Sequence, residues 1–82
     1  PSAGCFFKNP PGSRPAGMLI DLAGLKGKAV GGAEISERHA NFILNRKNAT
    51  ASDILCLKEL VQETIKNKFD IDLEPEVKIV GD

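Results

Sequence analysis

Long apolar runs are missing from this chain of 82 residues. None approaches the roughly 18–20 residues that a bilayer-spanning helix needs, so no membrane role is expected. An excess of charge of either sign is missing too: 11 lysines and arginines face 11 aspartates and glutamates. A zero balance gives no support to a nucleic-acid or membrane-surface partner. Metal-binding side chains are scarce. There is a single histidine, His39, and two cysteines, Cys5 and Cys56, without CxxC spacing. A zinc site needs about four ligands, so no metal is expected. Two cysteines in a Lys/Glu-rich chain do not resemble a disulfide scaffold, and two free thiols are the simpler expectation, although a disulfide stays open. Phosphate-binding glycine loops are absent, because Gly31-Gly32 fits neither GxGxxG nor a Walker pattern. Internal repeats and low-complexity segments are also absent. Methionine is nearly so: Met18 stands alone, and the chain opens on Pro1. The expectation is a cut or processed start, with the chain a piece of a longer protein.

What is present is ordinary for a folded domain. Hydrophobic residues make up 41% and charged residues 27%. The length predicts one domain spanning 1–82. Its core should be thin, since a domain of this size buries only about 60–65% of the surface its unfolded chain exposes. A partner domain would help it.

Residues 3–8 read as a short strand, stopped by the turn chemistry of Asn9-Pro10-Pro11-Gly12-Ser13. Pro15 suits a helix start, and Ala16 to Ala23 carries Leu19, Ile20, Leu22 and Ala23 on or near one face. Gly17 weakens that helix, and Gly24 is placed to end it in a left-handed cap. Residues 28–35 read as strand-like with an interruption at Gly31-Gly32. Paired glycines there suggest a bulge, a close backbone approach or a simple bend. Ser36-Glu37-Arg38-His39 reads as a turn, residues 41–45 as a short strand and 46–49 as a loop.

The strongest signal follows. Thr50-x-x-Asp53 resembles a capping box. Ile54, Leu57, Val61 and Ile65 then recur at spacings of three and four, with Leu60 beside them. A helix over about 52–68 is expected, with Cys56 as a small buried hydrophobe next to the stripe. Alternation at 69–74 and again at 76–79 predicts a half-buried strand broken at Pro75. The fold class is α+β: a small antiparallel sheet, one long helix in the C-terminal half and a shorter N-terminal helix.

Read residue by residue, the chemistry is thin. His39 suits local hydrogen bonding. A Cys–His arrangement between Cys5 and His39 stays open, but no spacing demands it. Cys5 itself could be a small buried hydrophobe, half of a disulfide, a metal ligand or a reactive thiol.

Four collinear stretches carry more. PSAGCFFKNP (1–10), AGMLIDLAGLKGKAVGGAEISERHANFILN (16–45), NATASDILCLKELVQETIKNKF (48–69) and LEPEVKIVG (73–81) together resemble the C-terminal, substrate-binding domain of the UDP-N-acetylenolpyruvoylglucosamine reductase family. The resemblance implies a cytoplasmic flavoenzyme of cell-wall precursor synthesis. NADPH reduces FAD, and the reduced flavin delivers hydride to C3 of the enolpyruvyl group of UDP-N-acetylglucosamine enolpyruvate. A proton then enters at C2, giving UDP-N-acetylmuramate. It also implies that FAD is held mainly by two upstream domains absent from this chain, and that this chain alone is inactive.

Residue roles follow from the same resemblance. The family's proton donor is usually a serine within AGS-x-F-K-N-P; Cys5 stands there in this chain. A thiol, with a reference pKa of about 8.5, gives up a proton more readily than a hydroxyl. It is also a weaker hydrogen-bond donor and more easily oxidised. Asn9 corresponds to a contact with the substrate diphosphate. Glu76, in LEPEV, corresponds to a catalytic glutamate that helps an arginine of a missing domain to polarise the substrate carboxylate. Two carboxylates pair only when one is protonated or a cation bridges them. Glu74 is then a solvated strand residue. Lys26, His39 and Lys78 correspond to positions lining the nucleotide-sugar pocket in some members. The competing expectation is a stand-alone module that binds a UDP-sugar or a protein without catalysis. A thiol redox module is weak without a second nearby cysteine.

Overall fold

A computed structural model describes residues 5–77. Seven short elements follow one another: β1 (Cys5–Phe7), α1 (Ala16–Leu22), β2 (Ala29–Val30), β3 (Ala33–Ile35), β4 (Ile43–Asn45), α2 (Ala51–Phe69) and β5 (Pro75–Val77). This is the expected α+β class, but the strands form two sheets rather than one. β2, β3 and β4 make an antiparallel meander, and β1 pairs with β5 in a separate antiparallel ribbon.

α2 forms where the capping box predicts. The Thr50 hydroxyl accepts the Asp53 N–H at 3.0 Å, and the Asp53 carboxylate accepts the Thr50 N–H at 3.1 Å. Leu57, Val61 and Ile65 are buried along one stripe. Lys66 and Lys68 occupy the last turn, where cations complement the helix dipole. The left-handed Asp70, at φ +58°, ends the helix. Cys56 is exposed, not buried as expected. At 100° per residue it lies off Leu57 on the side away from Val61.

α1 buries Ala16, Leu19 and Ile20. Leu22 is 57% exposed, because the helical turn carries it to the flank of that face. The chain leaves α1 through the expected glycine cap. With Gly24 at φ +76°, the Gly24 N–H reaches the Asp21 carbonyl and the Leu25 N–H the Ile20 carbonyl. This pair of bonds satisfies carbonyls the helix would otherwise leave open.

The core joins these faces. Leu19 and Ile20 of α1, Ile35 of β3, Ile43 of β4 and Leu57, Val61 and Ile65 of α2 are all buried, and Phe7 of β1 and Leu73 join the same cluster. Burying one such side chain contributes roughly 1.5–3 kcal/mol.

Two strand expectations change. Gly31-Gly32 is neither bulge nor interruption but the two-residue turn of a hairpin, with Val30 paired to Ala33 across it. Residues 69–74 are not a strand. Phe69 closes α2, residues 70–73 run back without ladder pairing, and Pro75 opens β5 instead of breaking a longer strand. A strand's first position tolerates proline because no ladder N–H is needed there. The expected strand positions at 3, 4, 78 and 79 lie outside the described residues.

Candidate functional site

The ribbon holds two of the expected site residues, Cys5 and Glu76. Cys5 pairs with Val77, Phe6 with Glu76 and Phe7 with Pro75. The Lys8 N–H extends the ladder to the Glu74 carbonyl at 2.8 Å. The backbones of Cys5 and Glu76 thus occupy neighbouring rungs, although they come from opposite ends of the chain. The Glu76 side chain is exposed.

Beyond Lys8 the chain turns at Asn9-Pro10-Pro11. A cleft of about 220 Å³ opens there, lined by Lys8, Asn9, Pro10, Pro11, Asp72 and Glu74. The Asn9 Oδ1 accepts the Ala16 N–H at 3.0 Å. That bond serves the first turn of α1, where Pro15 offers no side-chain cap. It also orients the amide. A backbone N–H only donates, so the atom facing it is the oxygen, and the Asn9 NH₂ is the other end of the group. Lys8 and Glu74 stand 4.0 Å apart with exposed side chains, a pairing of little energetic weight in water.

The remaining expected site residues lie on two adjoining loops. Lys26 follows the α1 cap and pairs with Asp21 at 3.5 Å. His39 lies between β3 and β4, with its ring 5.7 Å from that of Phe42 and tilted by 49°. Its N–H and that of Arg38 both donate to the Ser36 hydroxyl at 3.1 Å, so Ser36 folds this loop from its buried position. The loops touch where the Gly27 N–H reaches the Ile35 carbonyl and the Glu37 carboxylate lies over Gly27. Lys78 lies outside the described residues. Cys5, Asn9 and Glu76 therefore share the ribbon and its exit, whereas Lys26 and His39 stand on the loops beside α1 and β3.

One residue the sequence does not single out reaches the ribbon. Asn41 accepts the Phe7 N–H on its Oδ1 at 2.8 Å and donates from its Nδ2 to the Phe7 carbonyl at 2.9 Å. No local pattern predicts this bond, which links residues 34 apart.

The chain matches the family model described as UDP-N-acetylenolpyruvoylglucosamine reductase, C-terminal domain, over residues 1–80. It is 64% identical over 80 residues to the UDP-N-acetylenolpyruvoylglucosamine reductase of Desulfosudis oleivorans, covering 98% of this chain and 26% of that protein. Against the protein of the same name from Heliobacterium modesticaldum it is 54% identical over 82 residues, covering 100% of this chain and 26% of the relative. The crystal structure of UDP-N-acetylenolpyruvylglucosamine reductase from Thermus caldophilus is similar at a TM-score of 0.73 and 54% identity, over 93% of this chain and 27% of that one. The chain spans about a quarter of the length of these relatives.

Proposed function

The chain belongs to the UDP-N-acetylenolpyruvoylglucosamine reductase C-terminal domain family, and from that premise we propose that it is the substrate-binding, proton-donating part of a flavin-dependent reductase. The reaction is the NADPH-driven conversion of UDP-N-acetylglucosamine enolpyruvate to UDP-N-acetylmuramate, in the cytoplasmic stage of cell-wall precursor synthesis. Hydride addition to C3 of the enol ether leaves an electron pair at C2. Cys5 gives its proton to that carbon, and the resulting thiolate is reprotonated from solvent. The amide NH₂ of Asn9 donates to the substrate diphosphate without adding charge. Glu76 holds a cation from the rest of the protein against the substrate carboxylate, because two bare carboxylates would repel. Lys26 and Lys78 serve the phosphates as point charges, and His39 lines the nucleotide-sugar pocket with them.

The observation that carries this reading is the family match over residues 1–80, which takes in Cys5, Asn9 and Glu76; the β1–β5 register adds that the Cys5 and Glu76 backbones are close in space. The orientation of Asn9 supports it, since its oxygen is already engaged by Ala16 and its donor end remains. The cleft of about 220 Å³ beside Asn9 is smaller than the roughly 300–1,000 Å³ typical of small-molecule sites, and FAD is assigned mainly to the rest of the protein.

The test is to split the reaction of the full-length protein into its two halves. Cys5→Ala should leave flavin reduction by NADPH intact. It should slow reoxidation of the reduced flavin by the enolpyruvyl substrate at least ~10²-fold, the scale of a lost general acid. An unchanged second half overturns the assignment of Cys5.

A further inference from the structure

Among the described residues strand β1 has three, paired on one edge with the three of β5. An isolated two-stranded ribbon is marginal in water. In an antiparallel ladder successive residues aim their N–H and C=O groups to opposite edges. The Lys8 N–H goes to β5, at the Glu74 carbonyl. The polar groups of Phe7 therefore face the other edge, where no strand stands among the described residues. Asn41 fills that position. Its Oδ1 takes the Phe7 N–H at 2.8 Å and its Nδ2 meets the Phe7 carbonyl at 2.9 Å. One side chain thus reproduces both bonds of a neighbouring strand at a single residue.

The loop that presents Asn41 is itself held. The Ser36 hydroxyl binds two N–H groups within it, the Ser36 N–H reaches the Phe42 carbonyl and the Phe42 N–H the His39 carbonyl. Ala40, next to Asn41, is buried. On its far side Asn41 lies against α1 at Gly17, where an added methyl would sit 3.6 Å from the Asn41 Cβ. Phe7, the residue it grips, is 4% exposed and anchored in the core. Phe7 stands two positions after Cys5 and two before Asn9, so its backbone sets where both begin.

We infer that Asn41 is a positioning residue for the reduction, setting the β1 backbone that carries Cys5 and Asn9. The inference rests on the reading that Cys5 donates the proton. Asn41 touches no reacting atom; it acts through Phe7.

Asn41→Asp in the full-length flavoenzyme is the discriminating change. The carboxylate has nearly the size of the amide and still accepts the Phe7 N–H, but it has no donor for the Phe7 carbonyl. A packing role would survive this substitution. A hydrogen-bonding role would not. The expected result is flavin reduction by NADPH within about twofold of the parent, with reoxidation by the enolpyruvyl substrate slowed about tenfold or more, equivalent to roughly 1.4 kcal/mol at the barrier. The solvent deuterium isotope effect on the second half should also rise above the parent's, as proton delivery becomes slower. Asn41→Ala should behave the same way more strongly. Parental reoxidation in Asn41→Asp, equal slowing of both halves, or an unchanged isotope effect overturns the inference. Cys5→Ala, measured alongside, separates the two ideas. If it is slow while the Asn41 variants are parental, only the positioning role fails. If Cys5→Ala is parental, the donor reading fails and this inference with it.

Discussion

Asp53 serves two elements with one carboxylate. It closes the capping box on Thr50 and accepts the Gly32 N–H at 3.3 Å from the hairpin turn. These N–H bonds, the one from Thr50 first, hold its pKa below the ordinary 3.8. A depressed carboxyl favours the native arrangement above its unfolded pKa and loses that contribution as pH falls through the native value. The amides of Thr50 and Gly32 should therefore lose hydrogen-exchange protection on acidification below about pH 3.8, and Asp53→Asn should flatten that dependence. An equal pH response in parent and variant would remove Asp53 from the role. Half of this residue's work was legible, since Thr50-x-x-Asp53 is a local pattern. Its bond to Gly32 was not, nor was the grip of Asn41 on Phe7, because bonds between residues 21 and 34 apart leave no spacing to read.

At the level of elements, legibility followed periodicity. α2 declares itself through Leu57, Val61 and Ile65 at fourfold spacing, and α1 through its glycine stop. Short strands have no such redundancy. A glycine pair between two apolar runs reads equally as a flaw in one strand or a turn between two, and only the pairing of Val30 with Ala33 decides it. The alternation at 69–74 misleads for a related reason. Phe69, Ile71 and Leu73 are all partly or fully buried, yet Phe69 belongs to a helix end and the others to an unpaired return segment. Gly32 is where the elements meet most tightly. A methyl there would run into the Lys47 carbonyl oxygen and come within 2.8 Å of the Ala49 nitrogen. Backbone cannot yield as a side-chain tip does. Gly32→Ala should destabilise the fold by the 1–3 kcal/mol or more typical of overpacking, seen as a lower denaturation midpoint. A midpoint at the parental value would mean that the 46–49 loop relaxes freely.

Across the whole molecule, the chain spans about a quarter of its relatives' length, and the site proposed above draws on the rest of such a protein. The proposed work of Glu76 needs a cation from elsewhere, and its exposure is what a residue awaiting a partner surface would show. Glu76→Gln should slow substrate reduction while sparing flavin reduction by NADPH; slowing of flavin reduction alone would contradict the assignment. The pairing of Cys5 with Val77 has another consequence, which concerns time. Phe7 and Asn41 are 34 residues apart, whereas β1 and β5 lie about 70 apart, a difference that costs only about 0.6 kcal/mol in loop-closure entropy. Synthesis runs from the N-terminus, so Asn41 leaves the ribosome well before Val77. The side-chain partner of β1 is therefore synthesised before its backbone partner, and in the finished fold it occupies, at Phe7, the edge where an unpaired strand would invite another chain.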